Sequence, residues 1–269
     1  MTGTTLASCP ICGGNRQRTF SALVLSKHNA SYCHCPQCGF LQVEDPHWLA
    51  EAYSEAIACT DTGLVARNLA NARTMTVALT LSGMRQAEMV DIAGGYGLFV
   101  RLMRDSGFRF YWDDPYARNL LAGGFSAGEL TKASVITAFE VLEHVPDPLA
   151  FLRNALARWQ PSMVFLSTET YRGAPPAPGT WDYYAPDTGQ HIGFFQDRTL
   201  ILLAERLGLR YHRLGHIHVL ATAGTIPWYL PAFCHRLPRI LAPILVRGRS
   251  LTVADHHLQV ARLRGTTPR

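Results

Sequence analysis

One stretch constrains the fold more than any other. Residues 89–103 read Met-Val-Asp-Ile-Ala-Gly-Gly-Tyr-Gly-Leu-Phe-Val-Arg-Leu-Met. A short apolar run ends at Asp91-Ile92, glycines crowd the next five positions, and Leu98, Phe99, Leu102 and Met103 then recur at helical spacing. Strand, glycine turn and helix in that order open a doubly wound α/β unit, and such sheets take ligands at the carboxyl ends of their strands. The dinucleotide pattern G-x-G-x-x-G fails here, because Leu98 or Val100 stands where the third glycine belongs. No G-K-[S/T] of a P-loop is present either.

The second constraint is the uneven placing of cysteine. Five of the seven lie within the first 38 residues, as Cys9-Pro-Ile-Cys12-Gly and Cys33-His-Cys35-Pro-Gln-Cys38-Gly. Two C-x-x-C pairs separated by 22 residues have zinc-ribbon spacing. Gly13 and Gly39 each follow a pair, where a knuckle turn calls for positive φ. Four thiolates make a closed tetrahedral zinc site with no open position for substrate. The expected ligands are Cys9, Cys12, Cys35 and Cys38, with Cys33 and His34 as spare donors. Reduced structural thiols are the alternative. The segments from Thr19 and from Ala30 read as short strands, and a module of some 40 residues has too little core to stand alone, so the metal is expected to hold it together. Cys59 and Cys234 read as isolated buried thiols.

With 269 residues and 48% apolar content the chain is neither disordered nor small, and it has room for one sizeable domain plus an appendage. The net charge of +5 is spread without a basic run, which gives no electrostatic case for nucleic acid. No export signal is visible at the start, so a cytoplasmic location is expected. The most apolar later segment, residues 226–246, is broken by prolines, His235, Arg236 and Arg239, so it reads as packed elements or as an amphipathic stretch in peripheral membrane contact, not as a membrane span.

Further landmarks follow the glycine turn. Phe108 to Trp112 reads as a second strand ending in Asp113-Asp114, and Asp114 stands 21 positions past Ala93, where an acidic residue can accept hydrogen bonds from a ribose. The other reading of the acidic pair is a cap on a following helix. Ala133 to Glu140 forms an apolar strand running into Val-Leu-Glu-His-Val-Pro-Asp-Pro, a helix is expected over 149–158, and Met163 to Glu169 makes another strand. An amphipathic helix from Asp197 ends at Gly208, and His212, His216 and His218 alternate along a late strand pair, where they are expected to face solvent.

The segment Asp91-x-Ala93-x-Gly95-x-Gly97 resembles the first motif, D-x-G-x-G-x-G, of class I S-adenosylmethionine-dependent methyltransferases, with Ala93 replacing the first glycine. The E-V-L-E-H-V-x-D-P segment is similar to the fourth-strand region of the same superfamily. Trp48 to Ile57, Asp61-Thr-Gly, Arg67-Asn and Trp181-Asp-Tyr-Tyr-Ala-Pro-Asp-Thr-Gly-Gln-His-Ile-Gly-Phe resemble a bacterial subgroup that carries an N-terminal zinc ribbon. The resemblance covers about residues 9–215. It implies a Rossmann-like doubly wound sheet with a small zinc ribbon at 1–43, a methyltransferase domain at 44–220 and a C-terminal extension at 221–269 packed on it.

By the same resemblance S-adenosylmethionine is the cofactor, and a small-molecule acceptor, sugar-like or a natural-product precursor, is the substrate. Asp91, Ala93, Gly95, Tyr96, Gly97, Asp114, Phe139 and Glu140 are expected at the cofactor, with Arg67 pairing its carboxylate. Trp181, Tyr183, Tyr184 and Gln190 are expected around the acceptor. His191 is the candidate base, since an imidazole accepts a proton near neutral pH. In some quinone-pathway O-methyltransferases a segment like Glu140-x-x-Glu143-His144 holds a divalent ion, while many relatives share the pattern without one; both readings stay open. Two other functions compete with a small-molecule enzyme. One is a binding protein that has lost catalysis, on the strength of Ala93; the other is an RNA methyltransferase docked by the ribbon, against which the missing N-P-P-Y-like tetrapeptide speaks.

Overall fold

The computed structural model describes residues 6–53 and 60–265, so Cys59 lies outside the described residues. The chain begins with β1 (Gln17–Val24), β2 (His28–His34), β3 (Leu41–Val43) and a single helical turn, α1 (Leu49–Ala52). Then come α2 (Leu64–Leu81), β4 (Glu88–Ile92), α3 (Leu98–Asp105), β5 (Arg109–Asp113), β6 (Val135–Phe139), α4 (Pro148–Trp159) and β7 (Met163–Ser167). β8 (Gly193–Phe194), α5 (Asp197–Arg206), β9 (Arg210–Leu214) and β10 (Ile217–Ala221) follow, and α6 (Leu230–Arg236), α7 (Pro238–Val246) and α8 (Thr252–Leu263) close the chain.

These elements form two compact units. The first gathers residues 1–58, 139–157 and 166–211. Its four-stranded sheet runs β1-β2-β3-β8, antiparallel at each pairing. Alternate residues of β1 and β2 turn inward, and Phe20 stacks on Tyr32 with ring centroids 4.5 Å apart. The same core holds Tyr171, Tyr184, Ile192 and Phe194. Apolar surface supplied from residues 171–194 therefore joins the cysteine module's own small core. Three backbone carbonyls of the cysteine turns are also bound by later residues. Tyr171 Oη donates to Gly39 O, Thr199 Oγ1 to Cys38 O at 2.8 Å, and an Arg206 guanidinium N–H to Cys12 O at 2.9 Å.

The second unit gathers residues 59–138, 158–165 and 212–269. The six-stranded sheet runs β5-β4-β6-β7-β10-β9, with β4 parallel to both β5 and β6. The chain thus goes from the inner strand β4 out to β5 on one side and returns to β6 on the other. That reversal is the topological switch point at which ligand crevices open. β4 and β6 are buried along nearly their whole length, as a parallel strand covered on both faces must be. No α-helix connects β5 to β6. Residues 114–125 instead form a looped segment, after which Ser126 bridges to Trp112 and a short 3₁₀ turn, Ala127–Glu129, follows. The acidic pair therefore caps no helix. His218, expected in solvent, is buried in β10 because that strand is covered on both faces.

The C-terminal helix is fastened by a buried ion pair. Arg104 on α3 grips both carboxylate oxygens of Asp255 on α8, at 2.8 and 2.6 Å, while donating to Phe110 O at 3.0 Å and lying 3.6 Å from the Phe125 ring centroid. Both residues are about 95% buried, being 5% exposed each. Removing one partner strands the other charge in a dry setting, at a cost of about 3–5 kcal/mol. Asp255→Ala is therefore expected to lower the melting temperature by roughly 10 °C. A melt indistinguishable from that of the parent protein contradicts the assignment of Arg104–Asp255 as the anchor of α8.

Candidate functional site

The glycine turn at the carboxyl end of β4 is gripped from β5. Ala93 N–H donates to Asp113 O at 2.8 Å, the Trp112 indole N–H donates to Gly95 O at 2.8 Å, and Gly95 N–H donates to Asp114 Oδ2 at 2.9 Å. The other Asp114 oxygen accepts the backbone N–H groups of Tyr116 and Ala117. Asp114 thus ties the turn to the loop that follows β5. Tyr96 O accepts from Leu120 and Leu121 N–H, folding that loop back over the turn. Ala93 adopts φ +54°, the left-handed conformation that the motif's missing glycine would take without cost. Gly97 has φ +83°, and a Cβ there would meet Asn119 Oδ1 at 2.8 Å, so only glycine fits. A Cβ on Gly95 would meet nothing within 4 Å, so the space over its Cα is open, although its N–H and C=O are taken by Asp114 and Trp112.

Asp91 sits beneath the turn. It is buried, and Thr137 Oγ1 on β6 donates to Asp91 Oδ1 at 2.5 Å. Burial pushes the carboxyl up to about 7; the Thr137 hydrogen bond opposes the rise and the charge of Asp114 adds to it. In the unfolded chain the group titrates near 3.8. Between those values the folded protein holds a proton that the unfolded chain has lost, so this group's contribution makes stability fall as pH rises from about 4 to about 7. Asp91→Asn keeps the acceptor for Thr137 and removes the titration. Relative to the parent, its urea midpoint is expected to rise progressively from pH 5 to pH 8, by a free energy of up to roughly 3 kcal/mol. A constant difference across that range contradicts a proton held at Asp91.

A second polar group is built wholly within the first unit. Just after β6 the chain turns through Glu140 at φ +53°, whose carboxylate accepts Ser167 Oγ–H at 2.6 Å. Three residues on, Glu143 is fully buried. Its Oε1 accepts the Tyr183 hydroxyl at 2.7 Å, and its Oε2 has no hydrogen-bond partner among the described residues. Burial raises the carboxyl, opposed by His191 and by the Tyr183 hydroxyl. Tyr183 Oη also lies 3.0 Å from Thr168 Oγ1, and burial together with the Glu143 charge drives the phenol well above its ordinary range.

His191 Nδ1 is 2.6 Å from Tyr183 O. A carbonyl only accepts, so Nδ1 carries the proton and Nε2 keeps the lone pair. His144 Nδ1 faces Gln190 O at 3.1 Å and Tyr53 Oη at 2.9 Å. Burial, and then the charge of His191, lower the His144 imidazole to about 3, so it is neutral at ordinary pH. Ligating atoms of Glu143, His144 and His191 lie within 4.8 Å of one another. The triad that converges thus replaces Glu140, of the set read from sequence, with His191.

The other expected residues divide. Tyr183 joins the Glu143–His191 group, whereas Trp181 and Tyr184 line a separate cavity of about 290 Å³ with Phe20 and Tyr32. Gln190 spends its side-chain amide on Ala52 O at 2.8 Å. Arg67 is held by both carboxylate oxygens of Asp61, at 2.8 and 2.7 Å, so a cofactor carboxylate would have to share it. Phe139 ends β6, and Tyr96 presents its carbonyl to the folded-back loop. Residue types alone pointed to none of Trp112, Thr137 and Asn119; a tryptophan one position before the acidic pair was the available signal.

The two cysteine pairs make matching turns. Gly13 N–H donates to Cys9 O and Gly39 N–H to Cys35 O, each at 2.8 Å, with φ +78° and +79° at the two glycines. Cys9 Sγ is 3.6 Å from Cys38 Sγ and Cys12 Sγ is 3.4 Å from Cys35 Sγ, and all four sulfurs lie within 4.8 Å of one another. Zn–S bonds of about 2.3 Å in a tetrahedron put sulfurs slightly under 4 Å apart, so this donor set fits the metal. Cys33 is buried outside the group, and Cys234 is buried alone.

Residues 62–214 match the family model of a methyltransferase domain, more than half of the chain. The chain belongs to this methyltransferase family. No curated protein matches it by sequence. Among solved structures the methyltransferase is similar to the calicheamicin-biosynthesis methyltransferase CalO1 in its SAH-bound form, at 16% identity and TM-score 0.40, over 56% of this chain and 54% of that one. It is similar to the mitomycin 7-O-methyltransferase MmcR at 22% identity and TM-score 0.42, over 55% and 51%. The magnesium protoporphyrin IX methyltransferase of Synechocystis PCC 6803, with bound SAM, is similar at 13% identity and TM-score 0.41, over 66% and 93%. The alignments with the first two span about half of their lengths.

Proposed function

We propose that this protein transfers a methyl group from S-adenosylmethionine to a hydroxyl of a small-molecule acceptor, sugar-like or a natural-product precursor. The observation that carries the reading is the glycine turn fixed at the carboxyl end of β4 with open space over the Gly95 Cα, inside the segment that matches the methyltransferase family. Ala93 takes the left-handed conformation of the glycine it replaces, which supports a turn still shaped for the cofactor.

The cofactor, when bound, supplies the methyl carbon as an electrophile. Asp91, Ala93, Gly95, Tyr96 and Gly97 form its cradle, Asp114 accepts from its ribose with the acceptor capacity left beside its backbone partners, and Phe139, Glu140 and Arg67 complete its surroundings. His191 takes the acceptor's proton on Nε2. The Glu143 carboxylate behind it stabilises the imidazolium, and Tyr183 holds that carboxylate in place. An acceptor oxygen relieved of its proton would take the methyl that the bound cofactor supplies, the cofactor's sulfur being left as a neutral thioether. Tyr183 stands on the acceptor side, whereas Trp181 and Tyr184 line their own cavity and Gln190 stays bound to Ala52 O; Cys9, Cys12, Cys35 and Cys38 would hold a structural zinc.

Calorimetric titration with S-adenosylmethionine is expected to show one site per chain. Asp114→Ala is expected to weaken it by about 1.5–3 kcal/mol, roughly ten- to a hundredfold. His191→Ala is expected to bind normally and to lose about 10²–10⁴ in turnover once an acceptor is in hand. Absence of heat with the folded parent protein would falsify the enzyme reading. Elemental analysis is expected to find one zinc per chain, absent from Cys12→Ser; metal-free parent protein of unchanged melting temperature refutes the ribbon.

A further inference from the structure

The acidic residues desert one part of this chain. Between Glu205 and Asp255 lie 49 residues without a single Asp or Glu and with seven arginines. Arg236, Arg239, Arg247 and Arg249 fall on or beside α6 and α7, and all four are exposed. None of them makes an ion pair among the described residues. Asp255, the first acid beyond, is consumed by Arg104.

The same two helices leave large apolar side chains in water. α6 buries Leu230 and Cys234, and α7 buries Ala242; Arg85 donates to Leu245 O at 3.1 Å and helps to hold α7 in place. Turned outward are Trp228, 91% exposed, Phe233, Ile240, 63% exposed, and Ile244, 66% exposed. Ile240 and Ile244 are four apart in one helix and share a face. Helices in a water-soluble surface normally turn such residues inward. Trp228 packs against Tyr229 and Tyr229 against Phe233 of α6, and exposed apolar side chains in a segment with unpaired arginines and a tryptophan are the composition of a helix that lies in a membrane interface.

We propose that α6, α7 and the Trp228 turn form a docking surface for an anionic lipid bilayer, with Trp228, Ile240 and Ile244 entering the acyl boundary and Arg236, Arg239 and Arg247 at the headgroups. Charge selects this occupant. A second copy seated on the face about a two-fold axis would bring arginines against arginines with no acid of the segment to neutralise them. A nucleic acid would leave Ile240 and Ile244, 63% and 66% exposed, without a partner, since aliphatic side chains offer bases neither a stacking plane nor a hydrogen bond. The docking surface stands independently of the methyl-transfer reading.

The test is sedimentation of the full-length protein with vesicles of phosphatidylcholine alone or mixed with phosphatidylserine. The protein is expected to pellet with the anionic vesicles, with a blue-shifted tryptophan emission, and to be released by high salt. The Ile240→Glu/Ile244→Glu double variant is expected to stay in the supernatant while keeping the parent melting temperature. Arg236→Gln/Arg239→Gln/Arg247→Gln is expected to partition about a hundredfold more weakly, roughly a factor of five per arginine. Parent protein that remains in the supernatant with anionic vesicles overturns the proposal. So does binding that both sets of substitutions leave intact. A parent dimer that the Ile240/Ile244 variant dissociates, without vesicle binding, assigns the face to a second copy instead, and retention on single-stranded RNA without vesicle binding assigns it to nucleic acid.

Discussion

A buried carboxylate joins the two strands beneath the glycine turn. Asp91 on β4 and Thr137 on β6 meet where solvent is absent, and a charge there is expensive unless it is shared or protonated. The glycine turn stands directly on this pair. Its conformation is then fixed from β5 and the residue just after it, through Asp113 O, the Trp112 indole and the Asp114 carboxylate. A turn held this way has both polar groups of Gly95 satisfied while its Cα still faces open space.

Much of this was legible from local pattern. β4, its glycine turn and α3 follow from a change of period, from a buried run to helical spacing, and the cysteine turns follow from C-x-x-C-G with glycine in the left-handed position. What escaped was whatever depends on long-range burial. α2 is buried over most of residues 71–79 with no clear apolar stripe, so it carries no amphipathic signal to read. His218 was assigned to solvent because alternation suggests a two-faced strand, whereas β10 has no wet face.

The aromatic run at 181–184 shows the same limit at the candidate site. Residue types announced a ligand-facing wall, but a short 3₁₀ turn sends Tyr183 to Glu143 and leaves Trp181 and Tyr184 against Phe20 and Tyr32. Glu143 likewise gives no sign in the sequence that it is dry and half-satisfied. Which side of a turn a side chain takes is decided by the core it can join, and that core is supplied from the N-terminal strands.

The pairing of β3 with β8 has a consequence for how the chain is made. Leu41 lies opposite Phe194, a separation of 153 residues. At about 5–20 residues per second the ribosome exposes β3 roughly 8–30 s before its partner exists. During that interval the first three strands present a bare edge and an unfilled apolar face, the arrangement most prone to pairing with other chains. The four cysteines, by contrast, fall within the first 38 residues, and their two turns are local. Zinc capture by the nascent N-terminus would therefore act as a timekeeper, holding the first strands in register until residues 171–194 emerge to complete their core.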